Sequence, residues 1–140
     1  MEEKKIAYKV VRVFDGNMWS TFCTENIRVK YSPNAWTFPY PNTALFLFSD
    51  EETANLYAEE MSRLGKATMT VWTCEYEPTK LPIQVKGNIT TIPWGLKYPD
   101  YCFNGQITYE TTYFLNNKIV FTDSCKLLTK LETYIEGEKQ

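Results

Sequence analysis

The chain has 140 residues, enough to bury a core, and we predict a single domain over residues 1–140. Its net charge is −2, whereas domains that grip nucleic-acid backbones carry a basic excess, so we expect no polymeric nucleic acid partner. The absence of histidine excludes histidine-activated nucleophiles and histidine-ligated zinc. The cysteines are too widely spaced for a compact metal site, so we expect neither a metal nor a cofactor.

The first residues are charged, and no apolar run approaches the length needed to span a membrane. We therefore expect a cytoplasmic protein without a membrane partner. In that compartment cysteines stay reduced, and we predict four free core thiols. They are Cys23, Cys74, Cys102 and Cys125.

The first part of the chain is predicted to form antiparallel strands. Ile6–Phe14 is apolar on both faces for much of its length, which indicates a central strand. Asp15-Gly16 is a tight-turn signal, so a hairpin to residues 18–23 is expected. After a second turn at Glu25-Asn26, residues 27–31 alternate between apolar and basic side chains, as a half-exposed strand does.

Residues 32–43 contain three prolines, which favour an irregular loop. This loop is unusually aromatic, because it carries Trp36, Phe38 and Tyr40. An aromatic loop either folds back onto the core or lines a pocket.

A strand, a helix and a second strand are predicted next. Ala44–Phe48 is a continuous apolar run, typical of a strand covered on both faces. Ser49 and Glu52 form a capping-box pattern at the start of the helix, and Gly65 is expected to end it. One helical face is apolar through Ala54, Tyr57, Ala58, Met61 and Leu64.

The second strand of this unit covers residues 68–76 and is apolar on both faces. A weak hairpin is predicted over residues 83–92, followed by a second aromatic loop over residues 93–103. Residues 106–115 are then predicted to form a strand that pairs, across a turn, with a second strand at residues 118–121.

The C-terminal segment allows two interpretations. Its apolar residues fit a helix from about Asp123, which we favour, whereas the alternative is that Cys125–Leu131 extends the sheet. The predicted fold class is α+β, with a mostly antiparallel β-sheet, one well-defined helix packed on it and this possible C-terminal helix.

The two aromatic loops and the cations near them form the predicted ligand site. Flat rings stack on nucleobases and cations hold phosphates, a combination that fits a small nucleotide. The alternative is that the rings seal an open face of the sheet or form the interface of a homo-oligomer. The predicted ligand-binding residues are Arg28, Lys30, Trp36, Tyr40, Trp94, Lys97, Tyr98 and Tyr101.

Arg12 is a separate candidate, because it lies among apolar neighbours in the predicted central strand. A buried arginine must be paired or must face a cavity. It could bind an anionic ligand, but we favour an internal partner such as Glu75 or Glu110.

Arg12, Ser20-Thr21 and Glu75-Tyr76-Glu77 resemble the arginine, serine and Glu-x-Glu set of arginine-directed ADP-ribosyltransferases. The resemblance implies that the arginine holds a nicotinamide dinucleotide and that the last glutamate polarises the ribose. The Ser-Thr-Ser strand of that family is missing, and the spacing between Arg12 and Glu75 is short for it. We therefore assign no catalytic residue and expect a protein that is not an enzyme.

Segments spread over most of the chain are similar to small uncharacterised proteins of phage and prophage genomes. They include Tyr8–Arg12, Val29–Tyr31 with Trp36-Thr37, Leu45–Phe48, Val71-Trp72 and Lys126–Leu128. The resemblance implies a viral accessory protein that acts by binding in the host cytoplasm. Our leading hypothesis is a non-catalytic protein that sequesters a small nucleotide-type molecule, such as a host defence signal. The alternatives are an inhibitor that docks on a host protein and an ADP-ribosyltransferase-like enzyme.

Overall fold

The computed structural model describes residues 5–19, 29–39, 45–64, 67–80, 84–86, 89–91 and 119–135. These residues form one helix and a mostly antiparallel sheet, which confirms the predicted α+β class. The elements are β1 (Ile6–Phe14), β2 (Asn17–Trp19), β3 (Lys30–Tyr31), β4 (Trp36–Thr37), β5 (Leu45–Phe48), α1 (Glu51–Leu64), β6 (Thr68–Pro78), β7 (Gln84–Lys86), β8 (Ile89–Thr91) and β9 (Ile119–Tyr134).

Seven strands form one sheet in the order β3-β2-β1-β5-β9-β4, and β6 pairs with both β1 and β9. The two end strands of this path, β3 and β4, are joined by only four residues, 32–35. Such a connection spans at most about 18 Å, so the sheet must curl until its two ends lie close together. Strands β7 and β8 form a separate hairpin, as predicted.

The first hairpin follows the sequence prediction. Asp15 and Gly16 have φ angles of 51° and 77°, the pair of positive values that a type I′ turn requires. The turn places Phe14 opposite Asn17 and Arg12 opposite Trp19. Strand β1 is paired along both edges, with β6 on one side and with β2 and β5 on the other, which confirms that it is central.

The predicted helix is confirmed, but its cap is one residue later than expected. The carboxylate of Asp50 accepts hydrogen bonds from the Thr53 backbone N–H at 3.1 Å and from Thr53 Oγ1 at 2.8 Å. Asp50 is therefore the N-cap instead of Ser49, because its side chain satisfies a free N–H of the first turn. The helix ends at Leu64, and the predicted stop residue Gly65 lies outside the described residues.

Two apolar clusters lie on opposite faces of the strands. The first lies between α1 and the sheet, and its buried residues are Val10, Phe46, Phe48, Ala54, Tyr57, Ala58, Ala67, Met69 and Val71. The second lies on the other face, where the curled sheet encloses it. Its buried residues are Ala7, Val11, Tyr31, Leu45, Leu47, Cys74, Cys125 and Leu127.

The favoured C-terminal helix is wrong, and the alternative of an extended sheet is correct. Residues 119–134 form the long strand β9, which pairs with β5 over its first part and with β6 over the rest. The ladder with β6 skips Leu128 and Leu131, so each of them is an extra residue in a bulge. Each bulge breaks the two-residue alternation, which explains why the leucines recur at a helix-like spacing.

The loop predicted for residues 32–43 is partly regular. Trp36 and Thr37 form β4, which pairs with β9 at Lys126 and Cys125. Asn34 has a positive φ of 62°, and its N–H donates a 2.8 Å hydrogen bond to the Leu127 carbonyl. Proline therefore shapes this segment without preventing its attachment to the sheet edge. The partner strand predicted at residues 106–115 lies outside the described residues.

Candidate functional site

The structure describes two of the eight predicted ligand-binding residues, Lys30 and Trp36. Lys30 is exposed on β3, opposite Trp19, whereas Trp36 is on β4, opposite Lys126. These positions lie on different edge strands, so the two residues belong to separate cross-strand rows. The other six lie outside the described residues: Arg28, Tyr40, Trp94, Lys97, Tyr98 and Tyr101.

The row that contains Lys30 brings two cations to one face of the sheet. Lys30 pairs with Trp19, Trp19 pairs with Arg12, and Arg12 pairs with Met69. Directly opposite residues of antiparallel strands project on the same face. We call Lys30, Trp19 and Arg12 the Arg12 row. With neighbouring strands about 4.8 Å apart, the backbones of the two cations are about 10 Å apart, with Trp19 between them.

The guanidinium of Arg12 is the unusual group in this row. Arg12 is partly buried, and its Nε is shielded from solvent without a hydrogen-bond acceptor among the described residues. Its Cζ lies 5.7 Å from the ring centroid of Phe14, which is 54% exposed. Removing a charged group from water without pairing it is costly. The arrangement therefore favours an external acceptor.

The internal partner expected for Arg12 is not Glu75. Arg12 lies opposite Met69, whereas Glu75 lies opposite Ile6, so the two positions are six residues apart along β1. That separation is about 20 Å along a strand, too far for an ion pair. Glu75 instead lies 3.9 Å from the Lys126 ammonium. The other expected partner, Glu110, is outside the described residues.

The same register separates the groups that resemble the ADP-ribosyltransferase set. Arg12 and Glu75 lie near opposite ends of the β1–β6 ladder, and Glu77 lies farther still along β6, where it is exposed. Ser20-Thr21 lies outside the described residues. The structure therefore does not bring Arg12 and the two glutamates into one site.

A second row surrounds Trp36, which is 38% exposed. The row runs from Trp36 to Lys126 and on to Glu75. The ammonium of Lys126 lies 5.3 Å from the Trp36 ring centroid, while the carboxylate of Glu75 offsets its charge. This row is electrically balanced, so it is less suited to an anion than the Arg12 row.

Lys9 is a buried cation that the sequence analysis missed. It is fully buried on the face shared by Ala7 and Val11, and its Nζ donates a 2.8 Å hydrogen bond to the Phe46 carbonyl. The ammonium also lies 5.3 Å from the Tyr31 ring centroid and 4.8 Å from that of Phe46. Both faces of β1 are apolar in the sequence, so a lysine in this strand has no face that is exposed to solvent. This pattern could have identified Lys9 as buried. Because Lys9 is sealed from solvent, its contacts are structural.

The thiol of Cys74 lies in the same cluster as Lys9. Burial raises its pKa to about 12, although the charge of Lys9 acts in the opposite direction. The thiol donates a hydrogen bond to the Ala7 carbonyl, 3.4 Å away. Cys74 and Cys125 are both buried, as predicted for core residues. Cys23 and Cys102 lie outside the described residues.

Raising the pH from 9 to 12 is expected to destabilise the wild type more than a Cys74→Ala variant. The unfolded thiol ionises near its ordinary pKa of 9.0, whereas the folded thiol does so near 12. The stabilisation is therefore complete below pH 9 and is lost as the pH rises through the folded value. Urea unfolding of both proteins at pH 8 and pH 11 measures this, and equal losses in the two would contradict it.

Comparisons with known proteins give no family for this chain. No protein-family model matches it, and neither the curated proteins nor the solved structures include a significant match. Within the described ranges, no helix is long and apolar enough to cross a membrane, and no group of side chains could hold a metal ion.

Proposed function

We propose that this chain is a non-catalytic binding protein that sequesters a small anionic, nucleotide-type molecule at the Arg12 row. The observation that supports this is the guanidinium of Arg12, which is partly buried with an Nε that has no acceptor among the described residues. A site that keeps such a group at a cost in stability is typical of function. In a viral accessory protein, this binding would remove a nucleotide-type signal from the host cytoplasm.

The chemistry of the row fits the two parts of a nucleotide. Phosphate oxygens accept charge-assisted hydrogen bonds from a guanidinium, and Arg12 supplies that group. The exposed ring of Phe14 and the partly buried indole of Trp19 flank Arg12 and offer flat apolar surface to a base. Lys30 adds a second positive charge at the outer end of the row.

The test is a binding screen with a matched arginine control. Mono-, di- and cyclic nucleotides are screened by thermal shift, and those that raise Tm are titrated calorimetrically. Arg12→Gln is expected to weaken binding at least about tenfold, because a hydrogen bond to a charged group is lost. Arg63→Gln is the control, since Arg63 is exposed on α1 and bonds to Glu60. If no nucleotide raises Tm at saturating concentration, the proposal fails.

A second candidate function is inhibition of a host protein by docking. The observation that favours it is the exposure of Trp36 and Phe38, of which Phe38 is 65% exposed. The two residues are two positions apart at an edge strand, where aromatic side chains suit a protein partner. The test is whether the wild type captures a host polypeptide. Loss of capture in Phe38→Ala, together with full capture in Arg12→Gln, would support this function in place of nucleotide binding.

A further inference from the structure

We infer that the ligand of the Arg12 row carries two linked anionic groups, as a nucleoside diphosphate does, and that Lys30 selects for the second. This inference rests on the proposed function. It goes beyond that function by naming the class of ligand and the residue that discriminates within the class.

The two cations of the row are not equivalent. Arg12 is the inner cation, because it lies on the central strand, is partly buried and has a shielded Nε. Lys30 is the outer cation, because it lies on the end strand β3 and is exposed. Charge interactions are stronger where water is excluded, so the anionic group at Arg12 supplies most of the affinity.

The distance between Arg12 and Lys30 indicates that the two cations contact different parts of the ligand. Trp19 lies between them, with about 10 Å between the backbones of Arg12 and Lys30. A single phosphate seated on the guanidinium uses the inner position and leaves Lys30 to solvent. A second linked phosphate extends toward β3, where Lys30 has no ion-pair partner among the described residues. Lys30 therefore adds affinity for the second group only.

The test compares 5′-monophosphates with 5′-diphosphates of adenosine, guanosine, cytidine and uridine by calorimetry. Wild type is expected to bind the diphosphate of the preferred base about three- to fivefold more tightly at low salt, the effect of one exposed ion pair. Lys30→Gln is expected to bring this ratio close to one and to leave monophosphate affinity within about twofold. The wild-type ratio should also decrease at high salt, because the contact is screened.

The matched control is Lys130→Gln. Lys130 is likewise an exposed strand lysine opposite a tryptophan, Trp72, but it lies on β9. It should keep the wild-type ratio. If nucleotides bind but the ratio is unchanged in Lys30→Gln, the inference is overturned while the proposed function stands. If no nucleotide binds to the wild type, the proposed function fails, and this inference fails with it.

Discussion

Replacing Lys9 with alanine is expected to lower the free energy of unfolding by about 3–5 kcal/mol, the range for disrupting a buried ionic group or a core side chain. The side chain fills space inside the second cluster, and its ammonium donates to the Phe46 carbonyl. The single β1–β5 pair, Tyr8 opposite Phe48, lies beside this contact. Lys9 therefore links two strands whose backbone pairing is short.

A Lys9→Met variant separates packing from charge. Methionine preserves most of the stem volume but cannot donate to the Phe46 carbonyl. We therefore expect a loss of about 1–3 kcal/mol, the contribution of a hydrogen bond made by a charged group. Lys5→Ala is the control, because Lys5 is exposed just before β1, and it should change stability by less than about 0.5 kcal/mol. Urea unfolding measures all three variants. A loss below about 1 kcal/mol for Lys9→Ala would show that the site is not a structural link.

The sequence predicted the parts of the fold that local chemistry determines. The Asp15-Gly16 turn requires two positive φ angles, and the helix is marked by acidic residues at its start and by apolar residues at helical spacing. Strand β9 was missed because its bulges are set by pairing with a distant strand, β6. Bulges leave no local mark, so the spacing of the leucines favoured a helix.

Part of the candidate site could also have been predicted. A two-residue turn at Asp15-Gly16 already places Arg12 opposite Trp19, so these two neighbours follow from the sequence. The pairing of Trp19 with Lys30 does not follow from the sequence, because a two-residue turn at Glu25-Asn26 would have placed Ser32 opposite Trp19. The sequence identifies Arg12 as a candidate but does not exclude Glu75 as its partner. The distance between Arg12 and Glu75 depends on the register of β1 against β6, which the sequence does not show.

Replacing Arg12 with leucine is expected to raise the free energy of unfolding by about 1 kcal/mol without ligand. The substitution removes the cost of shielding an Nε that has no acceptor among the described residues. The same variant should weaken nucleotide binding at least about tenfold, since the charged donors are lost. Leucine suits the position, because Met69 lies opposite and Phe14 lies beside it. Opposite effects on stability and binding distinguish a ligand-binding residue from a structural one.

Urea unfolding and calorimetric titration on the same preparations test this last expectation. Arg63→Leu serves as the control, because Arg63 is exposed on α1 and its ion pair with Glu60 joins residues one helical turn apart. It should change stability by less than about 0.5 kcal/mol and leave binding intact. If Arg12→Leu instead lowered the free energy of unfolding by more than about 1 kcal/mol, Arg12 would be a structural residue. That result would contradict its assignment as the main ligand-binding cation of the Arg12 row.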